Sequence, residues 1–225
     1  LDNKSSFQTP KPFLSFQTLG YIWMPFAVLL APGGMASGVP AGCHSSNSQS
    51  TGRAHTCTIL VGGGVKCWGR GDYGQLGYDS TDNKGDAAGE MASLGTVNLL
   101  GASATAITAG SYHTCVILSG GGVKCWGRGD YGQLGYDSTD NKGDAFGEMA
   151  NLGTVNLGAS ATAITAGESH TCAILVGGGV KCWGHGSNGQ LGYDSTDDKG
   201  DAAGEMAGLG TVDLGASAIA ITAGM

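Results

Sequence analysis

The sequence predicts an all-β fold built from short strands, and three observations lead to this prediction. Glycine occupies 43 of the 225 positions, far above the average usage of about 7%. Only 13% of the residues are charged, and glycine costs about 1 kcal/mol relative to alanine inside a helix, so long helices are disfavoured. The third observation is that the chain after residue 54 repeats one unit three times, which is the pattern of a repeat-built architecture.

The repeats open with the tripeptide His-Thr-Cys, which begins at His55, His113 and His170. Repeats 1 and 2 differ at six aligned positions and by one inserted leucine. Residues 51–225 are therefore assigned to a repeat region. Its three repeats are 55–112, 113–169 and 170–225.

Each repeat contains four strand-like runs. In repeat 1, Thr56–Val61 and Val65–Gly69 flank three glycines and predict a β-hairpin. Thr96–Leu99 and Ala106–Ala109 are the other two runs. Four short strands in a unit of about 40–60 residues are typical of a propeller blade. Three blades are too few to close around an axis, so we expect a partial β-propeller of about three four-stranded blades that forms an open arc.

The order of the runs predicts how they combine into blades. No strand pair is predicted before His55, so both runs after each hairpin are expected to join the hairpin of the next repeat. Two complete blades would then form, near residues 96–127 and 154–184. The hairpin at 56–69 and the strands at 211–223 would remain as half-blades at opposite ends.

The hairpin register places two cysteines opposite each other. A three-residue loop centred on Gly62 pairs Cys57 with Cys67 and Ile59 with Val65. Facing Cβ atoms lie about 4.5–5.5 Å apart, or closer at a non-hydrogen-bonded pair, and this spacing permits a cross-strand disulfide. Unpaired buried thiols are the alternative, and zinc is disfavoured because its cysteine ligands usually lie closer together in sequence. The predicted disulfides are Cys57–Cys67, Cys115–Cys125 and Cys172–Cys182.

Several phrases in each repeat carry a family resemblance. In repeat 1 these phrases are His55-Thr56-Cys57, Val65–Gly69, Gly74–Gly77 and Ala106–Gly110. They resemble the regulator-of-chromosome-condensation repeat, and the paired-cysteine form is similar to secreted or cell-surface variants of that family. The resemblance covers residues 55–225, and it implies a seven-bladed propeller in complete family members. It also implies either a guanine-nucleotide exchange factor for a small GTPase or a protein-binding module.

The histidines and tryptophans that recur in every repeat have two interpretations. One is a catalytic or ligand-binding role, and the other is a structural role. A Cys–His catalytic pair is normally unique, whereas here a histidine stands beside a cysteine in every repeat. We therefore expect the histidine rings to bond loop backbone, and we expect Trp68, Trp126 and Trp183 to pack between blades.

The acidic loop of each repeat is the most attractive candidate metal site. In repeat 1 it runs from Asp79 to Glu90 and offers many oxygen donors. It fails the calcium-loop template, because Lys84 stands at position six and glycine at position seven. We expect a solvated, turn-forming loop. No catalytic residue, metal ligand or cofactor is assigned.

Residues 1–50 are predicted to form a leader. The apolar run Leu19–Leu30 has the length of a signal-peptide core and is short for a membrane span. The alternatives are an anchoring segment and a non-native leader. A polar linker follows at 45–51, and the seventh cysteine, Cys43, stays without a role.

These observations together predict a non-catalytic scaffold for protein–protein binding. Disulfides persist in oxidising compartments, so the scaffold is expected to be secreted or displayed at the cell surface, and cytoplasmic if its cysteines are reduced. The net charge of −7 argues against a nucleic-acid partner. A membrane contact is expected only if the leader stays uncleaved. The alternatives are a guanine-nucleotide exchange factor, and a carbohydrate- or calcium-binding module.

Overall fold

The computed structural model describes residues 49–224, so the predicted signal peptide and Cys43 lie outside the described residues. The described part consists of three three-stranded antiparallel sheets and three helices of four residues each. The strands are β1 Gln49–Thr51, β2 His55–Ile59, β3 Val65–Gly69, β4 Ala104–Ala109, β5 His113–Leu118, β6 Val123–Gly127, β7 Ala161–Ala166, β8 His170–Leu175 and β9 Val180–Gly184. The helices are α1 Glu90–Ser93, α2 Glu148–Asn151 and α3 Glu205–Gly208.

Each hairpin has the predicted register. Between β2 and β3, Cys57 stands opposite Cys67 and Ile59 opposite Val65. The turn is tight because Gly63 has a φ of 84° and its N–H donates to the carbonyl of Leu60 at 2.9 Å. The other two hairpins repeat this pairing.

In blades 2 and 3, the strand that precedes the hairpin comes from the previous repeat. This was predicted for the Ala106–Ala109 run and its equivalent in repeat 2. β4 follows the hairpin of repeat 1 and pairs with β5, the first hairpin strand of repeat 2. β7 pairs with β8 in the same way. A register shift interrupts each of these inner pairings near its start, at Ala104/Ala106 and at Ala161/Ala163.

The prediction for the Thr96–Leu99 run is wrong. The N–H of Val97 donates to the carbonyl of Val65 at 2.8 Å, so this run lies along the outer edge of its own hairpin. Val155 and Val212 make the same bond within repeats 2 and 3. The outermost strand of each described sheet has one backbone edge without a strand partner; these strands are β3, β6 and β9. The run that contains Val97, Val155 or Val212 covers the start of that edge in its own repeat. The fourth element of every blade is therefore an outer segment held by its own repeat.

The prediction that the hairpin at 56–69 remains a half-blade is also wrong. β1 pairs with β2 through Gln49–Thr58, Ser50–Cys57 and Thr51–Thr56. Blade 1 is therefore complete, and the blades are β1–β3, β4–β6 and β7–β9, each with its outer segment. At the other end, residues 211–224 form no strand, so the predicted half-blade of paired strands is absent there.

The hydrophobic core lies between the blades. One cluster joins Cys57 and Val65 of blade 1 to Val116 and Trp126 of blade 2. A second cluster joins blades 2 and 3 in the same way. Among residues 49–224, the first and last blades do not pair with each other. Both edges of β2 are occupied, by β1 and β3, and β9 has no strand partner beyond β8 within the described residues. The three blades form the expected open arc.

Candidate functional site

The turn after the second hairpin strand is a rigid platform. In repeat 1 the N–H of Gly74 donates to the carbonyl of Gly71 at 2.7 Å, and the N–H of Gly77 donates to that of Gly74 at 2.8 Å. The buried side chain of Gln75 accepts the Tyr73 N–H at 2.9 Å through Oε1. These hydrogen bonds fix the backbone of the turn, from which the side chains of Arg70 and Tyr73 project.

These side chains form a continuous row across blades 1 and 2. The guanidinium carbon of Arg70 lies 5.7 Å from the ring centre of Tyr112. That ring meets Tyr73 edge-to-face at 5.3 Å, and Arg128 lies 5.1 Å from the Tyr73 ring centre. The spacings are typical of cation–π and aromatic contacts.

The row continues toward blade 3 through Tyr131, whose ring centre lies 4.5 Å from that of His185. Arg128 lines one cleft together with Tyr131 and His185, so it connects the two parts. We name this surface the Arg–Tyr row. Its members are Arg70, Tyr112, Tyr73, Arg128, Tyr131 and His185.

Two aspartates hold the arginines of the row in place. Arg70 donates to Asp72 from Nε at 2.8 Å and from Nη2 at 2.6 Å. Arg128 binds Asp130 in the same way. The hydrogen bond from Arg70 lowers the pKa of Asp72, and the bond to Asp130 raises the pKa of Arg128. Both ion pairs keep their charges at neutral pH while the guanidinium faces remain against the tyrosine rings.

Sequence reasoning did not find the Arg–Tyr row. The available signal was the recurrence of Arg-Gly-Asp-Tyr at 70–73 and 128–131, together with Tyr112 at a position where repeat 2 has Ser169. In repeat 3 the corresponding segment reads His-Gly-Ser-Asn at 185–188. The row therefore changes composition at blade 3 and ends on His185.

Two of the three histidines beside the cysteines bond the neighbouring blade, so the predicted bond to loop backbone is wrong for His55 and His113. His55 Nε2 lies 2.8 Å from Thr114 Oγ1, and His113 Nε2 lies 3.0 Å from Thr171 Oγ1. Burial lowers the pKa of His55 to about 4 and that of His113 to about 3. A neutral ring that is hydrogen-bonded between blades is a structural group.

Two of the three repeat tryptophans pack between blades as predicted. Trp126 and Trp183 are fully buried, whereas Trp68 is half-buried and belongs to neither cluster. The carbonyl of Gln75 accepts both Trp126 Nε1 at 3.0 Å and Thr114 Oγ1 at 2.9 Å. The carbonyl of Gln133 receives the equivalent pair from blade 3. One carbonyl of the rigid turn thus fixes the next blade at two points.

The six repeat cysteines lie in three cross-strand pairs with disulfide geometry. Their Cα atoms are 4.0–4.1 Å apart. The first two pairs are buried between blades, and the third is buried in a separate cluster of blade 3. Each pair braces its hairpin. The pairs are Cys57–Cys67, Cys115–Cys125 and Cys172–Cys182.

The acidic loops use their carboxylates to join blades. Asp79 accepts the N–H of Met149 at 2.8 Å and that of Gly147 at 3.1 Å, both at the start of α2. Glu90 accepts the N–H groups of Gly85 and Ala87 within its own loop. Among the residues that the structure describes, no group of three or more His, Cys, Asp or Glu side chains is arranged to hold a metal ion.

The stacked blades and their repeated contacts define a β-propeller protein. The family model for the regulator of chromosome condensation (RCC1) repeat matches residues 104–133 and 161–190. Each match starts on the inner strand of a blade and ends on the glutamine of the rigid turn, so it spans one blade of the structure. The chain belongs to the RCC1-repeat β-propeller family.

Curated relatives and solved structures agree with this assignment. The chain is 35% identical over 150 residues to the ultraviolet-B receptor UVR8 of Arabidopsis thaliana, with 66% of this chain and 32% of that protein covered. It is 33% identical over 142 residues to the probable E3 ubiquitin-protein ligase HERC4 of Homo sapiens, with 63% and 12% covered. The structure of Prp20p from Saccharomyces cerevisiae shares the fold, with a TM-score of 0.56, 18% identity, and 78% of this chain and 41% of that chain covered.

The chain spans about a third or less of the length of these curated relatives. The shared region is the propeller repeat, so a relative's receptor or ligase activity is not carried to this chain by the match.

Proposed function

We propose that the chain is a non-catalytic scaffold for protein–protein binding, secreted or displayed at the cell surface, and that the Arg–Tyr row contacts the partner. The observation that carries the proposal is a row of arginine and tyrosine side chains fixed on rigid turns at the surface. Arginine and tyrosine are the residue types that most often dominate binding energy at protein interfaces. Because the turns are held internally, little side-chain freedom is lost on binding.

The extracellular part of the proposal depends on the cysteines. Three cross-strand disulfides would be kept in an oxidising compartment and lost in the cytosol. Within residues 49–224, no helix combines the length and the apolar character needed to cross a membrane. The three buried cysteine pairs support a setting outside the cytosol, and a protein partner in that setting.

The experiment compares matched variants as baits. The full chain carrying an affinity handle is incubated with extracellular proteins of its source and cross-linked, and the linked peptides are identified by mass spectrometry. We expect a protein linked at the Arg–Tyr row that is retained by the wild type and is lost with Tyr73→Ser or Arg128→Glu. Once that protein is purified, both variants should weaken its Kd by at least about tenfold, a typical effect for a central interface residue.

Asn98→Ala is the matched control, because Asn98 is exposed on the outer segment of blade 1 and not in the row. It should bind the partner like the wild type. If the row variants and the control retain the same proteins with the same affinity, the row is not the binding surface. If every retained protein is also retained by an unrelated bait, the scaffold proposal itself fails.

A further inference from the structure

Repeat 2 carries an exposed aromatic side chain that the other two repeats lack. Phe146 stands where repeats 1 and 3 have Ala88 and Ala203, in a stretch that otherwise reads Asp-Ala-Xaa-Gly-Glu-Met-Ala in all three. Its side chain is 99% exposed, although phenylalanine is among the residues most often buried. A packed aromatic side chain buries about 150–250 Å². The repeats with alanine build the same loop, so the ring serves a contact outside this loop.

The backbone on both sides of Phe146 is held in place by hydrogen bonds. The N–H of Ala145 donates to the carboxylate of Glu148 at 3.2 Å. The N–H of Gly147 donates to the carboxylate of Asp79, on blade 1, at 3.1 Å. The ring therefore projects from a fixed point where blades 1 and 2 meet. A side chain presented in this way loses little backbone freedom when it binds.

The segment around the ring is acidic. Residues 137–148 contain four carboxylates and one lysine. The Nζ atom of Lys142 lies 3.8 Å from Asp140 and 3.6 Å from Glu148, so this cation is already shared between two carboxylates. Burial and the neighbouring Glu148 raise the pKa of Asp144, because a second negative charge nearby disfavours ionisation. A lysine or arginine of a partner would relieve this repulsion, so the surroundings of the ring favour a basic partner.

We propose that Phe146 anchors a second protein-binding site, and that its occupant is a protein with an apolar pocket for the ring and lysine or arginine side chains around that pocket. Aromatic side chains that fill a pocket of the partner dominate the binding energy of many interfaces. A membrane is the less favoured occupant, because binding at a lipid surface draws on basic residues beside the apolar group, and this segment is acidic. We define the anchor site as Asp140, Asp144, Phe146 and Glu148. It contains no residue of the Arg–Tyr row and does not depend on the proposed function of that row.

The partner is identified through position 146 itself. The full chain with the photoreactive residue p-benzoylphenylalanine in place of Phe146 is irradiated together with extracellular proteins of its source. The protein that becomes cross-linked is identified by mass spectrometry and then purified. The same photoreactive residue in place of Val176 is the control, because Val176 is exposed on a hairpin tip of blade 3. We expect a protein that is linked from position 146 and not from position 176.

The affinity of the purified protein for matched variants is the deciding measurement. Phe146→Ala should weaken its Kd by at least about 30-fold, the effect of a central interface residue. The variant should keep the wild-type circular dichroism spectrum, because alanine stands at this position in repeats 1 and 3. Val176→Ser is the matched control: it also removes an exposed apolar side chain, and repeat 2 has Ser119 at that position. It should leave the Kd unchanged.

The salt dependence of the Kd tests the basic character of the partner. Binding of the wild type should weaken as NaCl rises from about 50 mM to about 500 mM, because salt screens the charges around the ring. Asp144→Asn should weaken binding by about threefold at low salt and should reduce this dependence. Tyr73→Ser, which alters the Arg–Tyr row, should leave the Kd unchanged.

Several results would overturn the proposal. They are an unchanged Kd for Phe146→Ala, a Kd that does not vary with salt, and a Kd that is weakened by Tyr73→Ser, which would mean one site rather than two. The absence of any protein linked from position 146 alone would have the same consequence. Binding of the wild type but not of Phe146→Ala to phosphatidylcholine vesicles would assign the ring to a membrane instead.

Discussion

Acidification from pH 7.5 to pH 5 should destabilise the propeller through its buried histidines. The pKa of His55 is lowered to about 4 and that of His113 to about 3, whereas an unfolded chain has histidine pKa values of about 6.5. Between these values the unfolded chain binds protons that the folded chain does not. A lowered folded pKa therefore means that stability is complete above about pH 6.5 and is lost as the pH falls toward the folded values.

The magnitude follows from the pH interval. At pH 5 the pH lies about 1.5 units below the pKa of a histidine in the unfolded chain, so protonation stabilises the unfolded chain. Each unit is worth about 1.4 kcal/mol. Each of the two histidines should thus remove about 2 kcal/mol of folding free energy, so that the pair accounts for about 4 kcal/mol. Unfolded carboxyl groups have pKa values of about 4 and remain mostly ionised in this interval.

The assay is denaturant unfolding at pH 7.5, 6 and 5 without reductant. His113→Gln keeps a hydrogen-bonding group near Thr171 and removes the titration, so its loss of stability between pH 7.5 and 5 should be smaller by about 2 kcal/mol. Asn98→Ala is the control, because Asn98 is exposed and does not titrate, and it should keep the full pH dependence. Equal pH dependence in the wild type and His113→Gln would refute the assignment of His113 as a buried neutral group.

Three further predictions concern the repeated contacts. Gly110→Ala should destabilise the fold by about 3 kcal/mol, because a Cβ there would overlap the His113 ring and the carbonyl of Gly167; Gly120→Ala has open space and should be neutral in the same unfolding assay. Millimolar calcium should leave the Tm unchanged, because the Asp79 carboxylate already binds N–H groups of the next blade; a rise of several degrees would contradict this. Loss of any one hairpin disulfide, by replacing both of its cysteines with serine, should cost about 2–3 kcal/mol, and an unchanged unfolding midpoint would show that the bond does not brace the blade.

The sequence predicted the hairpins well because their determinants are local. Three glycines fix the loop, and the loop fixes the register, so the pairing of Cys57 with Cys67 follows from counting residues. The burial of Trp126 and Trp183 was also predictable, since both faces of the hairpin carry apolar groups and only stacked blades bury both faces.

The partners of single strands could not be predicted from the pattern. Thr96–Leu99 is apolar enough to join either neighbouring hairpin, and the choice depends on which backbone edge lies within reach in three dimensions. β1 is the polar tripeptide Gln49–Thr51, which has no apolar alternation to reveal it. Its Ser50 hydroxyl accepts the N–H of Ala109, as Thr108 accepts that of Ala166 in the next blade, so its role is visible only beside the other inner strands.

The Arg–Tyr row shows a similar limit at the candidate site. Its arginines and tyrosines come from turns separated by 58 residues in sequence, and Tyr112 comes from a different loop. The spacing of the repeats predicts that equivalent turns lie on neighbouring blades. It does not predict that the side chain of Arg128 reaches back across the interface to the ring of Tyr73.

The pairing state of the cysteines tests the account most directly, because the buried braces and the extracellular setting both depend on it. The protein is taken from its natural source, its free thiols are alkylated, and it is cleaved before aspartate without reduction, which leaves each hairpin within one peptide. We predict that three peptides, one for each hairpin, carry one internal disulfide each and that no disulfide joins two of them. These are the peptide that ends at residue 71 and the peptides 86–129 and 144–193. Alkylated repeat cysteines, or links between different repeats, would contradict the account.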